Sequence, residues 1–302
     1  MLTPINDKLL TFFSAEQKEA RRIFHGRGHC FPGLEHICID WFRPVVLISA
    51  WQEVEDPEAL KAIILAADVK GQIKSIVLQN RFINQSPAET IYGDLPDKII
   101  VQAQDLRFEV HPGRRQNAGL FLDMGPLREW LKENSEGCNV LNLFAYTCAL
   151  SVAALAGGGK SVTNVDMSKP SLEWGLQNHM LNGQGPMPIK SIPHNLFKSW
   201  GRIKQFGRYD LVIIDPPTNQ RGSFNAERNY KSVVKKMHSL CNPGASIIAA
   251  LNSPFLGVDF LHDCLTKNLP DSKFIEMIPA ADEFVDIDPE RGLKIAHYQM
   301  PG

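Results

Sequence analysis

The stretch at 140–166, VLNLFAYTCALSVAALAGGGKSVTNVD, limits the fold more than any other part of the chain. An apolar run (Val140, Leu141, Leu143, Phe144) gives way to Ala145-Tyr146-Thr147-Cys148 and then to small residues through Ala156. Gly157-Gly158-Gly159 breaks that segment, and a second apolar run ends on Asp166. The order predicts a strand, a tight turn, a helix and a second strand, the unit from which open parallel sheets are built. In such sheets ligands bind beyond the carboxyl ends of the strands, where a turn feeds a helix N-terminus. A carboxylate closing the next strand, about twenty residues on, lies where a ribose diol is held.

The fingerprint GxGxxG is absent, so a dinucleotide pyrophosphate cradle is not expected. A nucleoside cofactor without phosphates fits better, and S-adenosylmethionine is the obvious one. An ordinary strand-helix-strand unit with an incidental Asp is the alternative.

The second informative stretch is 209–218, YDLVIIDPPT. Only Asp210 interrupts its apolar run, which predicts a fully buried parallel strand emptying into Asp215-Pro216-Pro217. Two prolines fix the backbone and remove two donors, leaving the Asp215 carboxylate and the Pro216 carbonyl as stiff acceptors. Such a pair suits an exocyclic amine, which presents two N–H donors in a plane. Aiming its lone pair at a sulfonium methyl is catalysis by positioning, with little acid or base strength required. A strand-terminating turn is the plainer explanation of the same residues.

At 302 residues the chain has room for about two domains, and 44% hydrophobic with 22% charged residues is an ordinary globular balance. A net charge of −1 requires that any polyanion be held by a local patch or a second subunit. The N-terminal residues show no signal-peptide pattern, and no apolar run reaches the roughly 18 residues of a membrane span. The setting expected is therefore cytoplasmic, with no membrane partner and a homodimer left open. Six scattered cysteines without CxxC or zinc spacing read as reduced and buried, so no metal site is expected.

In chain order, residues 1–28 read as a helix with Ser14-Ala15-Glu16-Gln17 as its capping box, ending in the basic run Arg21, Arg22, His25, Arg27 and His29. That run is either a solvated helix end or a phosphate-facing patch. Strands at 36–41 and 45–51, a helix at 57–68 and a strand at 75–79 form a small α/β domain, residues 1–98, that offers an RNA-binding surface. Residues around Pro87 and Pro96 read as loop or linker. The catalytic domain, 99–302, begins with a hairpin at 99–103 and 106–111. Leu120-Phe121-Leu122-Asp123 leads into a helix reaching Asn134, followed by a helix at 169–182 and strands at 189–192 and 246–251, and the domain closes with strands at 273–279 and 293–300. The last strand is expected antiparallel between its neighbours. Residues 219–228, NQRGSFNAER, read as a polar loop over the site.

QNAGLFLDM (116–124), VLNLFAYTCALSV (140–152), NVDMSK (164–169) and YDLVIIDPPT (209–218) together resemble the S-adenosylmethionine-dependent methyltransferases of large-subunit ribosomal RNA, a group with cytosine carbon-5 and guanine nitrogen enzymes. FHGRGHCFPGLEHICIDWF (24–42) is similar to the small domain that precedes their catalytic domain, so the likeness spans most of the chain. The resemblance implies a class I Rossmann-like sheet and cofactor contacts from Phe121, Asp123, Asn142, Phe144, Ala145, Thr147, Asp166, Met167, Asn195, Leu196 and Asp215. It implies Asp166 on the ribose and Asn195-Leu196 beside the adenine. Asp215, Pro216 and Pro217 then take the catalytic place, and Arg114, Arg115, Arg221 and Arg228 an RNA-facing patch.

Several positions depart from the family pattern. Its turn ends Tyr-Thr-Gly-Gly, whereas this chain has Cys148-Ala149, whose side chains are expected to narrow the cofactor pocket. The family Arg two residues after Asp123 is Gly125 here, with Arg128 the remaining candidate, and the acid beside the adenine is Asn195. Carbon-5 members use a cysteine after the strand that ends here in Asn252-Ser253, and serine is a far weaker nucleophile. The family's separate N-terminal RNA-binding domain is expected to be missing. The leading expectation is methyl transfer to a nitrogen of an RNA base, guanine in large-subunit ribosomal RNA. A protein or small-molecule amine as acceptor, or a non-catalytic RNA-binding factor with the same fold, are the alternatives.

Overall fold

The computed structural model describes residues 2–220 and 223–302, in two compact units. The first comprises Met1–Asp123 with Ala281–Asp288, and the second Met124–Ala280 with Pro289–Gly302.

In the first unit α1 (Thr3–Phe13) and α2 (Pro57–Ala67) cover a five-stranded sheet. Its strands are β1 (Arg21–His25), β2 (Ile37–Phe42), β3 (Val45–Ala50), β4 (Ser75–Asn80) and β5 (Ala88–Gly93), ordered as numbered. Every residue of β2 and β3 is buried, as expected of central strands covered on both faces. Ile5, Leu9 and Phe13 repeat at four-residue spacing and form the buried stripe of α1. Pro57 opens α2, where the Asp56 carboxylate accepts the Ala59 N–H at 2.8 Å.

Two expectations fail in this unit. No helix runs through 1–28, because α1 stops at Phe13 and Ser14 ends a helix rather than starting one. The basic residues 21–25 lie on β1, paired antiparallel with β2. Residues 88–93 are also no linker: they form β5, an exposed edge strand whose side chains face solvent and leave no alternating pattern to read. The hairpin β6 (Ile99–Ala103) and β7 (Leu106–Val110) is a separate two-stranded ladder, joined to the segment before β1 by the Ala20 N–H on Gln102 O at 2.7 Å. By its contacts the hairpin sits with the first unit, which runs to Asp123.

The second unit alternates strands and helices. It runs α3 (Gly125–Asn134), β8 (Asn139–Leu143), α4 (Ala149–Ala156), β9 (Ser161–Asp166), α5 (Lys169–Leu181), β10 (Ile189–Pro193), α6 (Trp200–Gln205) and β11 (Tyr209–Ile214). The pair β12 (Asn219–Gln220) and β13 (Phe224–Asn225) leads into α7 (Ala226–Val234) and α8 (Met237–Leu240). Then come β14 (Cys241–Asn252), α9 (Val258–Asn268), β15 (Lys273–Ile278) and β16 (Leu293–Gln299).

The sheet order is β10-β9-β8-β11-β14-β16-β15, parallel except for β16, which runs antiparallel between β14 and β15. The order reverses between β8 and β11, the switch point at which open sheets bind ligands. Leu211, Val212, Ile213 and Ile214 are each 1% exposed or less, and burying the four contributes roughly 6–12 kcal/mol before chain entropy. The polar residue in that strand has its own task. Asp210 accepts the Asn139 N–H (2.8 Å), Asn139 Nδ2 (3.0 Å) and Asn242 Nδ2 (2.6 Å), clamping the opening ends of β8, β11 and β14.

Candidate active site

Register brings four strand ends to one level. Leu143 pairs with Val165 on one side and with Ile214 on the other, and Pro193 pairs with Asp166. The residues immediately beyond are therefore neighbours: the 144–148 turn after β8, Asp166-Met167 closing β9, Asn195-Leu196 after β10, and Asp215-Pro216-Pro217 after β11. Asp166 and Asp215 sit two strands apart, about 10 Å at ordinary strand spacing. That is the scale of a nucleoside laid across the sheet edge.

The turn is built under strain. Phe144, Tyr146 and Cys148 have φ of 61°, 46° and 62°, three non-glycine residues in the left-handed region within five positions. At about 1 kcal/mol or more apiece, the turn persists only because its surroundings over-determine it. Asp166 Oδ2 accepts the Tyr146 N–H at 2.9 Å and Ala145 N–H donates to Val165 O at 3.0 Å. Asn178 Nδ2 of α5 donates to Thr147 O at 2.9 Å, and Ser151 Oγ donates to Cys148 O at 3.1 Å.

Asp166 Oδ1 accepts the Ser168 N–H at 2.8 Å, so each carboxylate oxygen holds one backbone donor and keeps a lone pair free for a further one. Burial pushes its carboxyl up from the ordinary value, against the pull of those two N–H groups. Across the β8/β9 pair Asn142 Nδ2 donates to Asn164 Oδ1 at 3.0 Å, while the Nδ2 of the buried Asn164 has no partner. An orphaned donor and a half-buried acid, two residues apart on one face of β9, are what a polar cofactor would satisfy.

The Cys148 side chain is turned into the protein rather than toward solvent. It is 1% exposed and packs with Ala145 and Leu172. A Cβ on Gly175 would lie 2.3 Å from its Sγ, so α5 makes room for the sulfur by having no side chain there. Burial drives the thiol well above its usual range.

The other expected residues are placed as follows. Phe144 meets Phe224 of β13 at 5.0 Å between centroids, and Phe197 stacks on the same ring at 6.3 Å. Asn195 accepts the Phe197 N–H at 2.9 Å, Leu196 is buried, and Met167 is 46% exposed. Pro216 is buried and Pro217 exposed. Thr218 Oγ1 donates to Asn252 O, bracing the segment against the end of β14. Arg128 is 1% exposed on α3.

Phe121 and Asp123 belong to the first unit, as do Arg114 and Arg115; Arg114 pairs with Asp97 at 3.2 Å. Arg221 lies outside the described residues. Residues 219–228 are not a plain loop: the described ones form β12, β13 and the first turn of α7, where Arg228 is exposed. Sequence reasoning missed Asn164, Gly175 and Asn178. The spacing Leu172, Gly175, Asn178 is one helix face, and a glycine in mid-helix was the available signal.

The end of β14 carries a serine in place of a reactive thiol. Ser253 is fully buried, its hydroxyl accepting the Phe255 N–H at 3.2 Å and its carbonyl holding Lys294 Nζ at 2.7 Å. Cys241 opens that strand, and burial pushes its thiol up to about 12. Among the described residues no group of three His, Cys, Asp or Glu side chains is placed to hold a metal ion, and no helix is long and apolar enough to cross a membrane.

A sheet of this order, with an acid closing the second strand and an Asp-Pro-Pro corner closing the fourth, defines the class I methyltransferase fold. The chain belongs to the S-adenosylmethionine-dependent methyltransferase family, whose pattern it matches over residues 21–299. It is 35% identical over 239 residues to a ribosomal RNA large subunit methyltransferase K/L of Vibrio cholerae, covering 74% of this chain and 33% of that protein. It is 34% identical over 160 residues to the protein of that name from Shewanella pealeana, covering 51% of this chain and 22% of the relative. The chain thus spans a third or less of the length of these relatives. Among solved structures, SMU.776, a methyltransferase complexed with SAH, shares the fold at a TM-score of 0.85 and 23% identity, over 99% of this chain and 80% of that one.

Proposed function

We propose that this chain is an S-adenosylmethionine-dependent methyltransferase acting on a nitrogen of an RNA base, guanine of large-subunit ribosomal RNA being the acceptor that fits best. The observation that carries the proposal is the pairing of two acids across the switch point, Asp166 at the end of β9 and Asp215 at the end of β11, with β8 between them. The cofactor, when bound, supplies an electrophilic methyl on a sulfonium.

The residues of the chain do the rest. Asp166 accepts the ribose hydroxyls. Asn164 Nδ2 and the strained 144–148 turn offer polar backbone and amide groups to the remainder, and Asn195-Leu196 border the base. Asp215 and the Pro216 carbonyl accept the two N–H groups of an exocyclic amine, which turns its lone pair toward the methyl. Both prolines keep those acceptors from relaxing, so little reorganisation accompanies transfer. A nitrogen acceptor agrees with the lack of a thiol at Ser253, since carbon attack on cytosine needs one. An RNA acceptor agrees with the names of the relatives and with the exposed Arg115 and Arg228.

The test is transfer of labelled methyl from the cofactor to total RNA from a strain lacking the protein, followed by nucleoside mass spectrometry. Label in a methylated guanine supports the proposal. Label confined to protein or small molecules, with none in RNA, refutes it.

A further inference from the structure

The basic residues crowded into 21–29 do not act as one patch. Arg21 pairs with Glu283, and Arg22 is held in a two-pronged bond to Asp40 at 2.7 and 2.9 Å. Folding brings a different pair of guanidiniums together. β1 runs into the turn Gly26–Gly28, which exposes Arg27. β3 and β4 are parallel neighbours with Ala50 opposite Asn80, so Trp51 and Arg81 leave the sheet side by side. Arg27 Cζ lies 4.4 Å from the centroid of the Trp51 ring, and Arg81 Cζ lies 5.4 Å from it.

Neither arginine forms an ion pair with a carboxylate among the described residues. Asp40, a carboxylate whose charge acts on Arg81, is already committed to Arg22. The residues that follow, Phe82 and Ile83, are 47% and 44% exposed. Arg81 also donates to Gln116 O, and Gln79 Nε2 donates to Arg115 O at 2.9 Å, so the turn carrying Arg115 is fastened to the same edge.

A tryptophan face attracts a cation, but two like charges on one ring repel, and an anion between them relieves that repulsion. The edge therefore offers fixed positive charge beside the exposed Phe82 ring and Ile83 side chain. Single-stranded RNA presents the matching chemistry, phosphates together with unstacked bases. We propose that Arg27, Trp51, Arg81 and Phe82 form a binding site for a single-stranded RNA segment, with the guanidiniums on phosphates and Phe82 against a base. The site rests on the RNA reading of the acceptor but uses none of the residues at the strand ends of the second unit.

The test is fluorescence anisotropy of a short labelled single-stranded RNA titrated with the full chain, as wild type, R27E and F82A, over a range of salt. Both substituted side chains are exposed, so melting temperature and calorimetric cofactor affinity stay at wild-type values. R27E weakens RNA binding about tenfold or more and lowers the salt slope by about 0.7 for each phosphate no longer neutralised. F82A weakens it by about 5- to 150-fold with the slope unchanged, the signature of a missing stacking partner. Unchanged affinity and slope in both variants overturns the site, as does a loss seen for an acidic peptide but not for RNA. RNA methylation that survives with unaltered RNA affinity removes the site and leaves the function standing. Methyl transfer to a non-RNA acceptor, with RNA still bound through Arg27 and Phe82, removes the function and leaves the site.

Discussion

Replacing Gly175 by alanine puts a methyl group where Cys148 already is. The new Cβ would lie 2.3 Å from Cys148 Sγ, 2.8 Å from its Cβ and 3.1 Å from the Thr147 carbonyl carbon. None of these is the loose end of a long side chain, and Cys148 sits in a left-handed turn that Asn178 and Asp166 already fix. Alanine gains about 1 kcal/mol over glycine within a helix, while forced overpacking at anchored atoms costs up to about 3 kcal/mol. The net loss is roughly 2 kcal/mol, or about 4–8 °C in melting temperature for a unit of this size. Cys148→Gly by itself is near neutral, since relief of the left-handed backbone offsets the missing packing of the sulfur at about 1 kcal/mol each. In the double variant the alanine has space, so most of the loss returns, short of complete because the Thr147 carbon remains close. Urea unfolding of the four proteins measures the coupling. Gly175→Ala as stable as wild type, or effects that add within about 0.5 kcal/mol, refutes the argument that α5 is shaped around this sulfur.

Asp215→Ala lowers the turnover of methyl transfer roughly 100-fold, because the acceptor amine loses one of its two fixed partners; steady-state kinetics against RNA checks this, with cofactor affinity by calorimetry as the control. Burial raises the Asp166 carboxyl, and diol hydrogen bonds favour its ionised form, so cofactor affinity is level at neutral pH. It falls as pH drops through a value above that of an ordinary carboxylate, measured by calorimetry across pH. His179 is fully buried between Ser151 (3.0 Å) and Gln184 (2.6 Å), and desolvation brings it down to about 4. The unfolded chain then binds the proton more readily between about pH 6.5 and 4, so stability falls as pH falls through that window, by roughly 3 kcal/mol in all. His179→Gln flattens that part of a stability–pH curve.

The second unit was readable from sequence because its strands are buried on both faces and its loops carry their chemistry in order. VLNLF and YDLVII leave no reading except a central parallel strand, and Asp166 and Asp215 follow from where those strands stop. What failed was exposed or depended on distant partners. β5 carries almost no buried side chain, so nothing in 88–93 alternates. The segment 14–25 looked helical because Ser14 and Gln17 have the spacing of a cap, while the pairing of β1 with Ile37–Phe42 that makes it a strand lies beyond any local window. Local composition also grouped Arg21, Arg22 and Arg27, whereas folding sends each to a different partner. The Cys148 departure looked like an obstruction because sequence shows the added side chain but not that Gly175 packs against it and makes room.

The most direct measurement is a crystal structure grown with S-adenosylhomocysteine, the demethylated cofactor. The account predicts its ribose hydroxyls within about 3 Å of the Asp166 carboxylate, with the sulfur directed toward the Asp215-Pro216 corner. Ligand lodged elsewhere on the chain, or strand ends closed to it by the 144–148 turn, contradicts the account.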